Sequence, residues 1–169
     1  MDDFAAFASR DYLITLGLLV FARGMDFLST WFATPTLVLE ANPLAKWLGW
    51  KWGIACNLLL CLATAHWPLA GLILVTTSLL VAARNFKSAW LMRALGERDY
   101  SLMVGEAMSR TNRRSYCVSV MGETLLFGLV GLAVVVSSDW SSLPLAIGTG
   151  MLAYAVAVAF YSLLVLWRR

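Results

Sequence analysis

A small set of residues in this chain combines chemically capable side chains with spacings that would bring them together: Asp26, Thr30, Glu40, Asn42, Arg84, Asn85 and Glu123. Asp26 and Thr30 stand at i and i+4, one helix face. Carboxylates and amides make an oxygen-rich set, and oxygen ligands suit hard cations such as magnesium or calcium. Two arginines nearby, Arg23 and Arg84, argue against a bare cation cage and fit an anionic headgroup or phosphate better. No metal ligand set is therefore assigned. A carboxylate made more basic by burial would also serve as a general acid or base.

Composition decides which elements position these residues. Of the 169 residues, 60% are hydrophobic and only 14% are charged, whereas an ordinary globular domain carries roughly 25% charged residues. The net charge of +3 is modest and leaves no footprint for nucleic acid. The long apolar runs read as membrane-crossing helices. Tryptophan prefers the headgroup level, and here it falls near the ends of those runs. The expectation is an all-α polytopic membrane helical bundle, one transmembrane domain over 1–169. Its five spans lie at about 12–31, 47–66, 69–90, 116–137 and 143–167. Gly122, Gly128, Gly131, Gly148 and Gly150 read as close helix contacts.

Basic residues orient the bundle. Arg84, Lys87, Arg93, Arg98, Arg110, Arg113 and Arg114 flank or fill the third connection, Lys46 and Lys51 open span two, and Arg168 and Arg169 end the chain. Five spans put all three regions on one side, which the positive-inside rule makes cytoplasmic. The N-terminus, with Asp2, Asp3 and Asp11, is then outside, in a cell (inner) membrane protein. It lacks the basic start of a signal peptide, so the first apolar run reads as a retained span. Residues 91–112 mix leucines and methionines with charges and predict an interfacial helical loop, broken into pieces at Gly96 and Gly105.

Ionisable groups inside such spans cost about 3 kcal/mol or more unless paired or facing the bundle interior. Counted at the helical rise, Asp26 lies roughly 7–8 Å, Arg84 roughly 9 Å and Glu123 roughly 10 Å from the cytoplasmic ends of their helices. They form one polar layer. Arg23 is placed to pair with Asp26, and Arg84 with Glu123; Asn57 lies deeper in span two. Such pairs can glue helices, and Arg84 can also snorkel to the interface. A structural lock and a ligand site fit this layer equally.

The stretch Glu40-Ala41-Asn42-Pro43 has a local explanation: Asn42 caps the second span and Pro43 takes its first position. Together with Gly24-Met25-Asp26-Phe27-Leu28-Ser29-Thr30, it resembles a family of small prokaryotic membrane proteins grouped as a domain of unknown function. Those proteins carry an Asp and a Ser/Thr in the first helix, then Glu-x-Asn-Pro at the second. The resemblance covers about residues 15–90. It implies a signature of Asp26, Thr30, Glu40, Asn42 and Pro43, and no activity.

His66 sits beside Trp67-Pro68 at an outer turn and reads as structural. The spacing of Cys56, Cys61 and Cys117 fits no metal motif and no disulfide. No phosphate-binding glycine loop or hydrolase motif is present, and no cofactor is identified. The sequence favours a non-catalytic bundle in the lipid bilayer, a homo-oligomer or an accessory subunit of a larger membrane complex. The alternatives are a small transporter or an ion- or lipid-headgroup-binding protein using Asp26, Glu40, Asn42 and Glu123, and a membrane enzyme acting on lipid headgroups.

Overall fold

The computed structural model describes residues 4–140 and 143–167, and among these the regular structure is entirely helical. In chain order the helices are α1 (Arg10–Ala33), α2 (Pro43–Thr64), α3 (Pro68–Leu95), α4 (Glu97–Arg110), α5 (Arg113–Val136) and α6 (Leu143–Trp167).

Local chemistry sets the boundaries. The Ser9 hydroxyl accepts from Tyr12 N–H at 3.3 Å and starts α1. Asn42 accepts from Leu44 N–H at 3.0 Å, with Pro43 at the first position of α2, as its sequence predicts. Asn112 does the same for α5 through Arg114 N–H at 3.1 Å. Between α3 and α4 the chain turns on Gly96, whose φ of 78° is open to glycine at little cost. Gly105, expected to break the following segment, lies inside α4 with ordinary helical geometry. An interior glycine weakens a helix by only about 1 kcal/mol, and α4 continues through it.

Four helices are long and apolar enough to cross a membrane: α1, α3, α5 and the Leu143–Leu164 part of α6. α2 is not among them. Lys46, Lys51 and Asn57 dilute its apolar run, and Gly49 interrupts its backbone at φ 62°, ψ −171°.

Helix α3 is central. It packs along α1 on one side and α6 on the other, and α6 carries α5; α2 touches α1 and α3 only sparsely. The α1 face buries Tyr12, Thr15, Leu19, Ala22, Ser29 and Ala33. The α3 face buries Gly71, Val75, Ser78, Ala82 and Ala89. Both follow the three-and-four spacing of a single helix stripe. Most of these residues are small. Lipid tails are as apolar as leucine, so helices in a bilayer associate through close backbone packing rather than hydrophobic drive.

The seam between α5 and α6 is tighter. A Cβ on Gly148 would stand 2.8 Å from the Gly131 carbonyl oxygen, and one on Gly131 2.9 Å from the Gly148 oxygen. Gly150 approaches α3, where a Cβ would meet the Ile73 carbonyl at 2.9 Å. The other two expected contacts differ. Gly128 faces Ala155 at an ordinary 3.9 Å, and Gly122 has open space around it.

The residues before α1 fold over the α2–α3 turn. Ala5 N–H donates to the His66 carbonyl at 2.7 Å, and His66 Nδ1 lies 2.9 Å from the Ala5 carbonyl. The Phe4 ring stacks on the imidazole at 4.8 Å. His66 is thus a structural clamp.

Candidate functional site

Helix α1 contributes the first polar cluster. Arg23 donates from Nε to Asn57 Oδ1 on α2 at 2.7 Å, and from Nη1 to Asp26 Oδ2 at 2.9 Å and Ser78 Oγ on α3 at 3.1 Å. The Asn57 amide is itself oriented, its Nδ2 donating to the Gly53 carbonyl at 2.8 Å. One guanidinium therefore ties three helices, using the fork of donors that suits it to such sites. A turn further on, Asn85 Nδ2 reaches Ser29 Oγ at 3.2 Å and Thr30 Oγ1 at 3.3 Å. These bonds fasten α3 to the C-terminal end of α1.

A second cluster faces the first from α3, α5 and α6. Arg84 Nη1 lies 3.3 Å from Glu123 Oε1, and the Tyr154 hydroxyl donates to the same oxygen at 3.0 Å. Both pairings expected from the depths of these residues, Arg23 with Asp26 and Arg84 with Glu123, are present.

The connection between α1 and α2 closes one end. Glu40 Oε1 accepts from Asn42 N–H at 2.8 Å. Trp50 Nε1 donates to the Pro35 carbonyl at 2.9 Å, and Lys46 Nζ to the Val38 carbonyl at 2.8 Å. Glu97, the first residue of α4, holds the connection from outside. Its Oε1 accepts from the Thr34 hydroxyl at 2.7 Å and Thr36 N–H at 3.1 Å, while its Oε2 accepts from the Thr36 hydroxyl. Burial alone would raise the Glu97 pKa. The hydrogen bonds from Thr36 and Thr34, with the Arg93 charge, outweigh it and hold the carboxyl below its ordinary range. Arg93 also lies over the rings of Trp31 and Phe32, at 5.9 and 5.8 Å.

These parts line a half-open cavity of about 520 Å³. Asp26, Thr30, Glu40, Asn42, Arg84 and Asn85 all line it; Glu123 stands behind Arg84 rather than on the lining. Among the residues expected from sequence, the cavity thus brings together positions up to 59 apart, Asp26 and Asn85. Arg23 and Asn57 complete the polar wall, and Phe27, Trp50, Tyr116 and Tyr161 supply aromatic surface.

Tyr154, Tyr116 and Tyr161 were not among the residues singled out from sequence. Tyrosine at a membrane boundary is common, and only the packing of α6 on α5 turns Tyr154 to Glu123. The Glu97 clamp was missed for a related reason. Its partners lie more than 60 residues away, and nothing in the local pattern announces them.

The arrangement combines hydrogen-bond donors and acceptors with apolar and aromatic walls, the usual character of a small-molecule site. Among the described residues, no group of three or more His, Cys, Asp or Glu side chains is placed to hold a metal ion. No protein-family model, curated protein or solved structure matches the chain.

Proposed function

We propose that this chain is a five-span membrane protein that binds a small polar or amphiphilic ligand in the cavity between α1, α2, α3 and α6. The observation that carries the reading is how the charges pair. A lock would close its polar groups on one another and leave no room. Here Arg23 pairs with Asp26 on the lining, Arg84 on the lining is backed by Glu123, and a cavity of about 520 Å³ remains beside them.

The fifth crossing is α2. It has 22 residues broken at Gly49; the unbroken run from Trp50 to Thr64 extends about 22 Å at the helical rise, and the turns before the break add to its reach across a bilayer core. It runs antiparallel beside α1 and is tied to it near both ends. The Tyr12 hydroxyl donates to the Leu62 carbonyl at 3.3 Å, and Trp50 reaches Pro35 at 2.9 Å. A helix paired with a crossing helix at these levels crosses with it. Five crossings put the basic α3–α5 connection and the C-terminus on one side, cytoplasmic by the positive-inside rule, with the N-terminus outside a cell (inner) membrane. The cavity then lies in the cytoplasmic leaflet.

The test is native mass spectrometry of protein purified from its membranes in mild detergent. A small molecule should accompany the wild type and be lost from Ala157→Phe, which places a ring in the cavity lining, while both melt alike. Equal retention by the filled variant would sink the binding reading. The same spectra weigh the proposal that the chain acts as a homo-oligomer or accessory subunit. A monomer mass with no accompanying chain counts against it.

A further inference from the structure

Resting on that reading, we infer that the ligand carries a positive charge: the cavity is built for an organic ammonium group, received at Glu40 in a lining that also holds aromatic residues. Two arginines near the site favour an anion only if they are free. Arg23 is held by Asp26, Asn57 and Ser78 together. Arg84 faces Glu123 at 3.3 Å. With every group ionised, those two pairs sum to zero. Glu40 remains on the lining without a cationic partner among the described residues, its carboxylate accepting only the Asn42 N–H. Lys46, the nearest basic residue along the chain, donates instead to the Val38 carbonyl at 2.8 Å. The lining therefore has an excess negative charge, and a carboxylate without a counter-ion favours a cation.

The walls select the kind of cation. Small hard cations demand a cage of oxygen ligands, and no such group of acidic side chains occurs among the described residues. Trp50, Tyr116 and Tyr161 are instead among the lining residues, and aromatic rings attract ammonium groups. Leu44, Leu48 and Val81 add aliphatic lining that would receive alkyl substituents. An ammonium with apolar arms matches both features, whether it arrives as a soluble amine or as the headgroup of a lipid.

Melting of the full chain in mild detergent tests this, with choline and tetrapropylammonium as soluble probes. The controls are 3,3-dimethylbutanol, the uncharged isostere of choline, and inorganic phosphate. The two cations should raise the melting temperature; the controls should not. Glu40→Gln should weaken cation binding by about tenfold or more, the effect of removing one charge-assisted interaction. Glu40→Asp, which keeps the charge, should retain most of it, so a folding defect is distinguishable. Glu106→Gln, on the exposed face of α4, should bind as the wild type does. A parallel arm uses nanodiscs containing a diacyl trimethylammonium lipid or phosphatidylglycerol; stabilisation by the cationic lipid alone would identify the headgroup form. Stabilisation by phosphate or phosphatidylglycerol in place of the cations would overturn the charge assignment and leave the cavity reading standing. Cation binding that survives Ala157→Phe would place it elsewhere and overturn the assignment too. No stabilisation by any probe in either arm would overturn the charge assignment, and the cavity reading would stand or fall on the co-purified molecule alone.

Discussion

The Glu97 carboxylate accepts the Thr34 hydroxyl at 2.7 Å, so the first residue of α4 holds the first residue after α1. Thr36 adds its N–H and hydroxyl to the same carboxylate. Helix α4 is thereby fastened to the connection that closes the cavity. Protonation should loosen it. Burial opposes the charge on Glu97, but the threonine hydrogen bonds and Arg93 win, so its pKa is lowered from the ordinary 4.5. A lowered pKa means that the folded form binds the proton less readily than the unfolded form. The stabilisation is therefore complete above 4.5 and is lost as pH falls through the lower folded value. Melting followed from pH 7 downward should show this acid loss, and Glu97→Gln should flatten it. An unchanged acid limb in the variant would remove Glu97 as its source.

Arg23 should be the most sensitive single position in the polar walls. Replacing it with methionine leaves Asp26 without its cation and Asn57 and Ser78 without their donor. Leaving buried polar partners unmatched costs about 1–3 kcal/mol. The double variant Arg23→Met/Asp26→Leu removes the stranded charge and should recover part of the stability, since replacing both members of an ion pair is often near neutral. Unfolding by detergent titration measures both. A double variant as unstable as the two single effects added would show that the two residues act independently.

Much of this site was legible before any packing was known, for definite reasons. Arg23 and Asp26 are three apart on a helix, so their pairing is local. Arg84 and Glu123 come from different helices, but the ends of the apolar runs set a common depth, and depth in a bilayer acts as a coordinate that sequence can read. Asn42-Pro43 announced the start of α2 through capping chemistry alone. What stayed hidden depends on how elements rotate and dock. The turn of Tyr154 toward Glu123, the reach of Glu97 to Thr34 and Thr36, and the pairing of Arg23 with Asn57 each need two helices fixed relative to one another. Glycines were ambiguous for the same reason: Gly131 and Gly122 look alike in the sequence, and only one meets a neighbouring backbone.

That contrast between glycines is measurable. A methyl group on Gly148 would come within 2.8 Å of the Gly131 carbonyl and 3.0 Å of Val135 N, both backbone atoms that cannot swing aside. Gly148→Ala should therefore destabilise by about 1–3 kcal/mol, the cost of forcing bulk into a packed seam. Gly122→Ala meets nothing within 4 Å and should be neutral or stabilise by up to about 1 kcal/mol through helix propensity. Opposite signs in the two unfolding titrations are expected. A destabilising Gly122→Ala with a harmless Gly148→Ala would mean that α5 and α6 pack through a different seam.

Gly49 makes the last test, because it joins backbone conformation to the shape of the cavity. Its φ of 62° and ψ of −171° lie in a region essentially reserved for glycine. The break lets the first turns of α2 depart from the line of the rest, and that departed segment supplies Leu44, Ala45 and Leu48 to the lining. Alanine at 49 must either keep the kink at a cost of about 1–3 kcal/mol or straighten α2 and withdraw those residues. Both routes lower the melting temperature. Gly53→Ala is the matched control: it sits four residues on in the same helix, with the Phe27 ring at an ordinary 3.6 Å, and should cost little. If Gly49→Ala melts with the wild type while Gly53→Ala does not, then α2 is continuous through residue 49, and the segment that closes the cavity must be held by its hydrogen bonds to the connection rather than by the kink.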